Sequence, residues 1–146
     1  MLDFNAREED PDLRSEQECF PDIDPGIEVL GDRVLVQLRR EKVSSKGGIL
    51  LVDETRQTLR FNETVAKVRS IGPLAYKSPD NLEPWPEGPW CHVGDLVRTI
   101  KYGGDRFVVQ PDDDGSPVVF ITIQAREVIS KIRSFEAAQK MKAFVD

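Results

Sequence analysis

Apolar and polar residues alternate at Asp32-Arg33-Val34-Leu35-Val36-Gln37-Leu38-Arg39, with Val34, Val36 and Leu38 on one face and Arg33, Gln37 and Arg39 largely opposite. A period of two marks a half-buried strand. Thr64 to Ile71 repeats the pattern, with Ala66 and Val68 on one face and Lys67, Arg69 and Ile71 on the other, and Gly72-Pro73 ends it. Further strands are predicted after the turn Val93-Gly94-Asp95 to about Ile100, over Arg106 to Gln110 after Tyr102-Gly103-Gly104-Asp105, and over Val118 to Ile123 beyond the hairpin signal Asp114-Gly115. Glu127 to Ile132 reads as an edge strand or a helical turn. Six or so short strands separated by Gly and Pro turns indicate an all-β barrel or sandwich. Only Ser134 to Val145 follows a helical period, through Phe135, Ala138, Met141 and Val145, with Ser134 as N-cap.

Two stretches break the alternation. Between the first two strands, from about Glu41 to about Glu63, Lys46-Gly47-Gly48-Ile49-Leu50-Leu51-Val52 sets four aliphatic residues behind two glycines, with polar sequence on both sides. Glycine weakens a strand and permits almost any backbone angle, so this is expected to be a long flexible loop with an apolar tip rather than a core strand. The second stretch, Pro73 to Pro89, holds five of the ten prolines, and Trp85 and Trp90 flank its end. Proline has no N–H to give to a ladder, so a stiff excursion from one end of the barrel is expected. Both indoles packing that loop onto the barrel is the plain reading; one Trp facing a cavity or partner is the sharper one.

Charge adds a third segment. Residues 1–24 carry nine carboxylates against two arginines, few apolar residues and no period. A disordered or loosely docked acidic arm is expected, with Leu2, Phe4, Leu13 and Phe20 available for weak contact. The expected organisation is an arm over 1–26, a barrel over 27–133 (loop about 41–63, Pro/Trp loop about 73–91) and a helical extension over 134–146. The chain's net charge of −6 disfavours nucleic acid as a partner. No apolar run is long enough to span a bilayer or serve as a signal peptide, which suits a cytoplasmic protein. Cys19 and Cys91 are too isolated to form a disulfide framework.

Catalytic and metal motifs are missing. Cys91 and His92 are adjacent in an extended segment and so point apart, and zinc needs more ligands than they supply. Reading Asp112-Asp113-Asp114-Gly115 as a calcium loop puts Gln110 and Ile121 where carboxylates are required. No enzyme activity and no cofactor are expected. An adaptor binding through the Pro/Trp loop, and a small barrel enzyme using His92 and Cys91, remain as alternatives.

The order of the pieces resembles the GroES-like co-chaperonins, the ten-kilodalton chaperonin family. Gly31-Asp32-Arg33-Val34-Leu35-Val36, Gly47-Gly48-Ile49-Leu50-Leu51, Val68-Arg69-Ser70-Ile71-Gly72, Val93-Gly94-Asp95-Leu96-Val97, Tyr102-Gly103-Gly104 and Ile123-Gln124-Ala125-Arg126-Glu127-Val128-Ile129 occur in the family's order over about residues 27–132. The resemblance implies a small GroES-like β-barrel, a homoheptameric ring, and a GroEL-like chaperonin as partner, capped so as to enclose a folding client. It implies that Gly47, Gly48, Ile49, Leu50 and Leu51 form the chaperonin-binding tip of a mobile loop. It also implies that first and last strands of neighbours pair, making Val34, Val36, Leu38, Val128, Ile129 and Ile132 interface residues. Trp85 and Trp90 fall where the family carries a roof over the cavity. The acidic arm, the C-terminal helix and the Pro/Trp stretch depart from the pattern, as in divergent bacteriophage co-chaperonins, for which the location would be the host cytoplasm.

Overall fold

A computed structural model describes residues 13–41, 60, 62–112 and 115–143. The expected loop tip Gly47, Gly48, Ile49, Leu50 and Leu51, the first twelve residues, Asp114 and Val145 lie outside these. Six strands form one antiparallel sheet: β1 (Arg33–Leu38), β2 (Val65–Ile71), β3 (Leu96–Thr99), β4 (Asp105–Val109), β5 (Val118–Gln124) and β6 (Val128–Lys131). Their order is β4-β5-β1-β2-β3-β6, so β4 and β6 are the edges. A 3-10 turn over Ala125–Glu127 feeds β6, so of the two readings of Glu127 to Ile132 the edge strand is the one realised, with the helical turn just before it. Among the described residues, short helices α1 (Glu16–Cys19) and α2 (Phe135–Gln139) flank the sheet.

The alternating residues do what their period dictates. Val34, Val36, Leu38, Ala66, Val68, Val97, Val119, Ile121 and Ile123 share one core cluster. Ile71, expected on the face opposite Ala66 and Val68, also packs against that cluster. The reason is a bulge: Leu35 faces Ser70 but Val36 faces Val68, so Arg69 is the extra residue and the alternation of β2 flips beyond it. Gly72 then passes so close to the chain that a Cβ there would lie 2.3 Å from the Gly31 carbonyl oxygen.

β1 is not half-buried. Leu35, Gln37 and Arg39, on the expected polar face, are buried as well. Leu35 packs with Val29, Val118 and Phe120, against which Ile23 and Phe107 also pack. Gln37 donates through Nε2 to the Pro21 carbonyl and accepts from Arg69 Nε through Oε1. Of the two expectations for the arm, disordered or loosely docked, residues 13–26 take the docked one, and part of the arm covers the sheet. Its anchor is short: Ser15 and Glu18 close a capping box on α1, and the turn delivers Cys19 and Phe20, each 1% exposed, into a cluster with Val65, Leu96, Ile132 and Ala138. Leu13 stays outside, 85% exposed.

α2 starts where expected, with Ser134 Oγ accepting from Ala137 N, but it is only five residues long. Its work is done by Ala138, with Phe135 and Met141 packing against the same cluster. Packing rather than propensity holds so short a helix.

Candidate functional site: the two ends of the sheet

β1 and β2 run from one end, where Val34 faces Ile71, to the other, where Leu38 faces Ala66. The chain leaves the second end after Glu41 and returns at Arg60, bracketing the segment that holds Gly47, Gly48, Ile49, Leu50 and Leu51. Charge organises that end. Arg39 N donates to the Val65 carbonyl, continuing the ladder by one rung. The Arg39 guanidinium then forks onto Glu63, Nε to Oε1 at 2.6 Å and Nη2 to Oε2 at 3.2 Å, with both side chains buried. Glu63 Oε2 also accepts from the backbone N–H groups of Thr64 and Val65. One step outward, Arg60 makes the same fork onto Glu41, at 2.7 and 3.3 Å. A bidentate pair fixes direction as well as distance, so both roots of the segment are held in register by side chains after the ladder ends.

At the opposite end, residues 73–91 fold back on the barrel. An isolated bridge between Lys77 and Pro84 closes a short hairpin. Behind it, Tyr76, Trp85 and Trp90 contact one another at centroid distances of 5.2–5.6 Å, and the Arg126 guanidinium lies over Trp85. Trp85 packs against the core, as the plain reading expects; Trp90 remains 38% exposed and donates to Glu87 Oε1. Tyr76 Oη donates to the Ala125 carbonyl at 2.9 Å and lies 3.4 Å from Cys91 Sγ. Burial pushes the Tyr76 phenol up, with the Cys91 hydrogen bond adding to it. Burial likewise raises the Cys91 thiol, partly offset by Tyr76.

Cys91 thus faces inward and His92 outward. Both cysteines are buried and neither forms a disulfide. Among the described residues no group of three or more His, Cys, Asp or Glu side chains could hold a metal, and no helix is long and apolar enough to cross a membrane.

The expected interface residues divide. Both edges of β1 are occupied, by β2 and β5, and Val34, Val36 and Leu38 lie in the subunit's own core. The expectation that this strand pairs with a neighbour is therefore corrected: no hydrogen-bonding edge is left to it. Val128 and Ile132 are buried too, while Ile129 is 62% exposed on an edge strand. Beside it a shallow groove of about 320 Å³ is lined by Glu87, Pro89, Trp90 and Val128 to Lys131. The reading of Glu127 to Ile132 as an edge strand fits the place of β6, whereas nothing in the pattern marked β1 as central, because that depends on the order of strands in space.

This is an all-β fold in which a sheet carries a long excursion at one end and a short hairpin at the other. The profile of the family described as Cpn10, the chaperonin 10 Kd subunit, matches residues 26–131, and the chain belongs to that family. Similar proteins are the co-chaperonin GroES of Chlamydia muridarum and that of Chlamydia trachomatis serovar A, each 30% identical over 107 residues, which cover 73% of this chain and 91% of the relative. The co-chaperonin GroES of Chlamydia pneumoniae is 25% identical over the same coverage. The protein is a GroES-like co-chaperonin.

Proposed function

We propose that the protein is a non-enzymatic cytoplasmic cap: a homoheptameric ring that docks on a GroEL-like chaperonin through Ile49, Leu50 and Leu51 and helps enclose a folding client. The observation that carries this reading is the family match over residues 26–131, which spans the Gly-Gly-aliphatic run. The ion-paired roots support it, since they present that run from one end of a rigid sheet.

Energetics favour several weak arms over one strong one. Burying each aliphatic side chain gains about 1.5–3 kcal/mol. Fixing about five backbones costs about 1–2 kcal/mol each. A single arm is close to break-even, whereas arms on one ring engage at high effective concentration and remain reversible. The outer edge of β6, with Ile129 and the Trp90 groove, supplies one half of a ring seam. The extended segment before β1, where Ile27 is 44% and Leu30 65% exposed, offers apolar side chains for the other half. In this reading Trp85 and Trp90 stiffen the base of the 77–84 hairpin, which takes the place of a roof.

Leu50→Asp tests the reading. The ring mass by native mass spectrometry should be unchanged, while chaperonin-dependent refolding should fall to the level without cap. Loss of the ring would place Leu50 in the subunit core, and unchanged refolding would remove the loop from the mechanism.

A further inference from the structure

The GroES relatives are covered over 91% of their length by an alignment that takes in only 73% of this chain. Residues 13–24 and 134–143 lie outside the family match, yet both pack at the charged end of the sheet. At that end their hydrogen bonds fall on the outgoing root of the 42–59 segment, residues 39–41, and the returning root is reached through packing on Val65 and through the ion pairs to Glu63 and Arg60. Arg39, which holds Glu63, also donates through Nη1 to the Ala138 carbonyl at the end of α2, 2.8 Å away. Glu41, which holds Arg60, accepts at its backbone carbonyl from Arg14 Nη1. Between them Arg40 N donates to the Cys19 carbonyl at 2.9 Å, so the arm takes the place of a strand beside the outgoing root. The extensions also hold each other, through Gln139 Nε2 to the Arg14 carbonyl and through the cluster of Cys19, Phe20, Ile132 and Ala138.

We infer that the two terminal extensions form a clasp on residues 39–41, the outgoing root of the 42–59 segment, and steady the returning root through Val65 and the ion pairs to Glu63 and Arg60. Apolar packing supplies its strength, and the hydrogen bonds to Arg39, Arg40 and Glu41 supply its aim. Resting on the capping function proposed above, the clasp serves binding: holding residues 39–41 in one arrangement before docking lowers the ordering cost of the complex.

The test uses the full-length protein with two separate substitutions. Ala138→Asp places a carboxylate at a site with 0% exposure and opens the clasp; Arg14→Ala removes the guanidinium that donates to the Glu41 carbonyl. Amide hydrogen exchange is read at Arg39, Arg40 and Val65, with Val36 and Val68 as internal controls. Exchange at the roots should rise at least tenfold in Ala138→Asp and about threefold in Arg14→Ala, with the controls unchanged. Affinity for a GroEL-type chaperonin with nucleotide should fall at least fivefold and about twofold respectively. Wild-type exchange at the roots in Arg14→Ala, or in a folded Ala138→Asp, overturns the clasp. Looser roots with unchanged affinity overturn its role in docking. If Ala138→Asp unfolds, Arg14→Ala decides. Normal capping by Leu50→Asp would sink the proposed function alone, since the exchange comparison needs no chaperonin.

Discussion

The two ends of the β1–β2 ladder solve the same problem with opposite chemistry. Each must release the chain into an excursion and recover it. At the Val34–Ile71 end the junction is aromatic: Tyr76, Trp85 and Trp90 lean on one another and on the core, with a single guanidinium over one ring. At the Leu38–Ala66 end it is ionic, with Arg39–Glu63 buried and Arg60–Glu41 beside it. Apolar contact is undirected and tolerates small shifts. A forked ion pair specifies an angle, and its loss leaves an uncompensated charge in a dry place. The end that carries the segment proposed to dock is the one built for direction.

The largest effect expected from breaking this contrast is at the ionic end. Arg39→Met strands the Glu63 carboxylate, and urea unfolding should show a loss of about 3–5 kcal/mol. Adding an apolar replacement at Glu63 should restore much of it, because a buried pair exchanged as a unit is far less costly than a broken one.

A smaller effect belongs to the aromatic end. Tyr76→Phe removes the donor to the Ala125 carbonyl and should cost about 1 kcal/mol at neutral pH. The alkaline side sharpens the test. The folded state raises the Tyr76 and Cys91 pKa values from ordinary values of 10.0 and 9.0, so above about pH 9 the unfolded chain releases protons that the folded chain keeps. Stability should therefore be full below pH 9 and decline as pH rises beyond it. Tyr76→Phe should flatten that decline in a pH series of melting temperatures. A slope equal to wild type would mean that other groups set it.

The smallest effect is at Arg126. Its guanidinium lies 5.6 Å from the Trp85 centroid, and Arg126→Ala should change stability by only about 0.5 kcal/mol in the same assay. A larger loss would give charge a part in the end described here as apolar.

What could be read before folding followed from local period. Val34, Val36 and Leu38 announce a core face, and Ser134 announces a helix start, because those signals act over a few residues. Gln37 and Arg39 looked solvent-facing for the same reason. Their cover comes from Pro21 and Ala138, sixteen and ninety-nine residues away, and no local pattern reports such a partner. The extent of the arm's docking was not legible because its anchors, Cys19, Phe20, Ile23 and the Pro21 carbonyl, are scattered singly within an acidic background. The bulge at Arg69 was invisible because alternation assumes a regular ladder, and Ile71 paid the consequence by changing face. The ion pairs Arg39–Glu63 and Arg60–Glu41 join residues across the loop, where spacing along the chain carries no information.

The position of β1 in the sheet has a consequence for birth on the ribosome. One flank of β1 is completed by β2, but the other waits for β5, after β3 and β4 have emerged. Until then a nascent hairpin offers a bare, strongly apolar edge to whatever strand comes near. A polypeptide that belongs to a family of folding helpers is thus, between the emergence of β2 and that of β5, the kind of molecule that needs one.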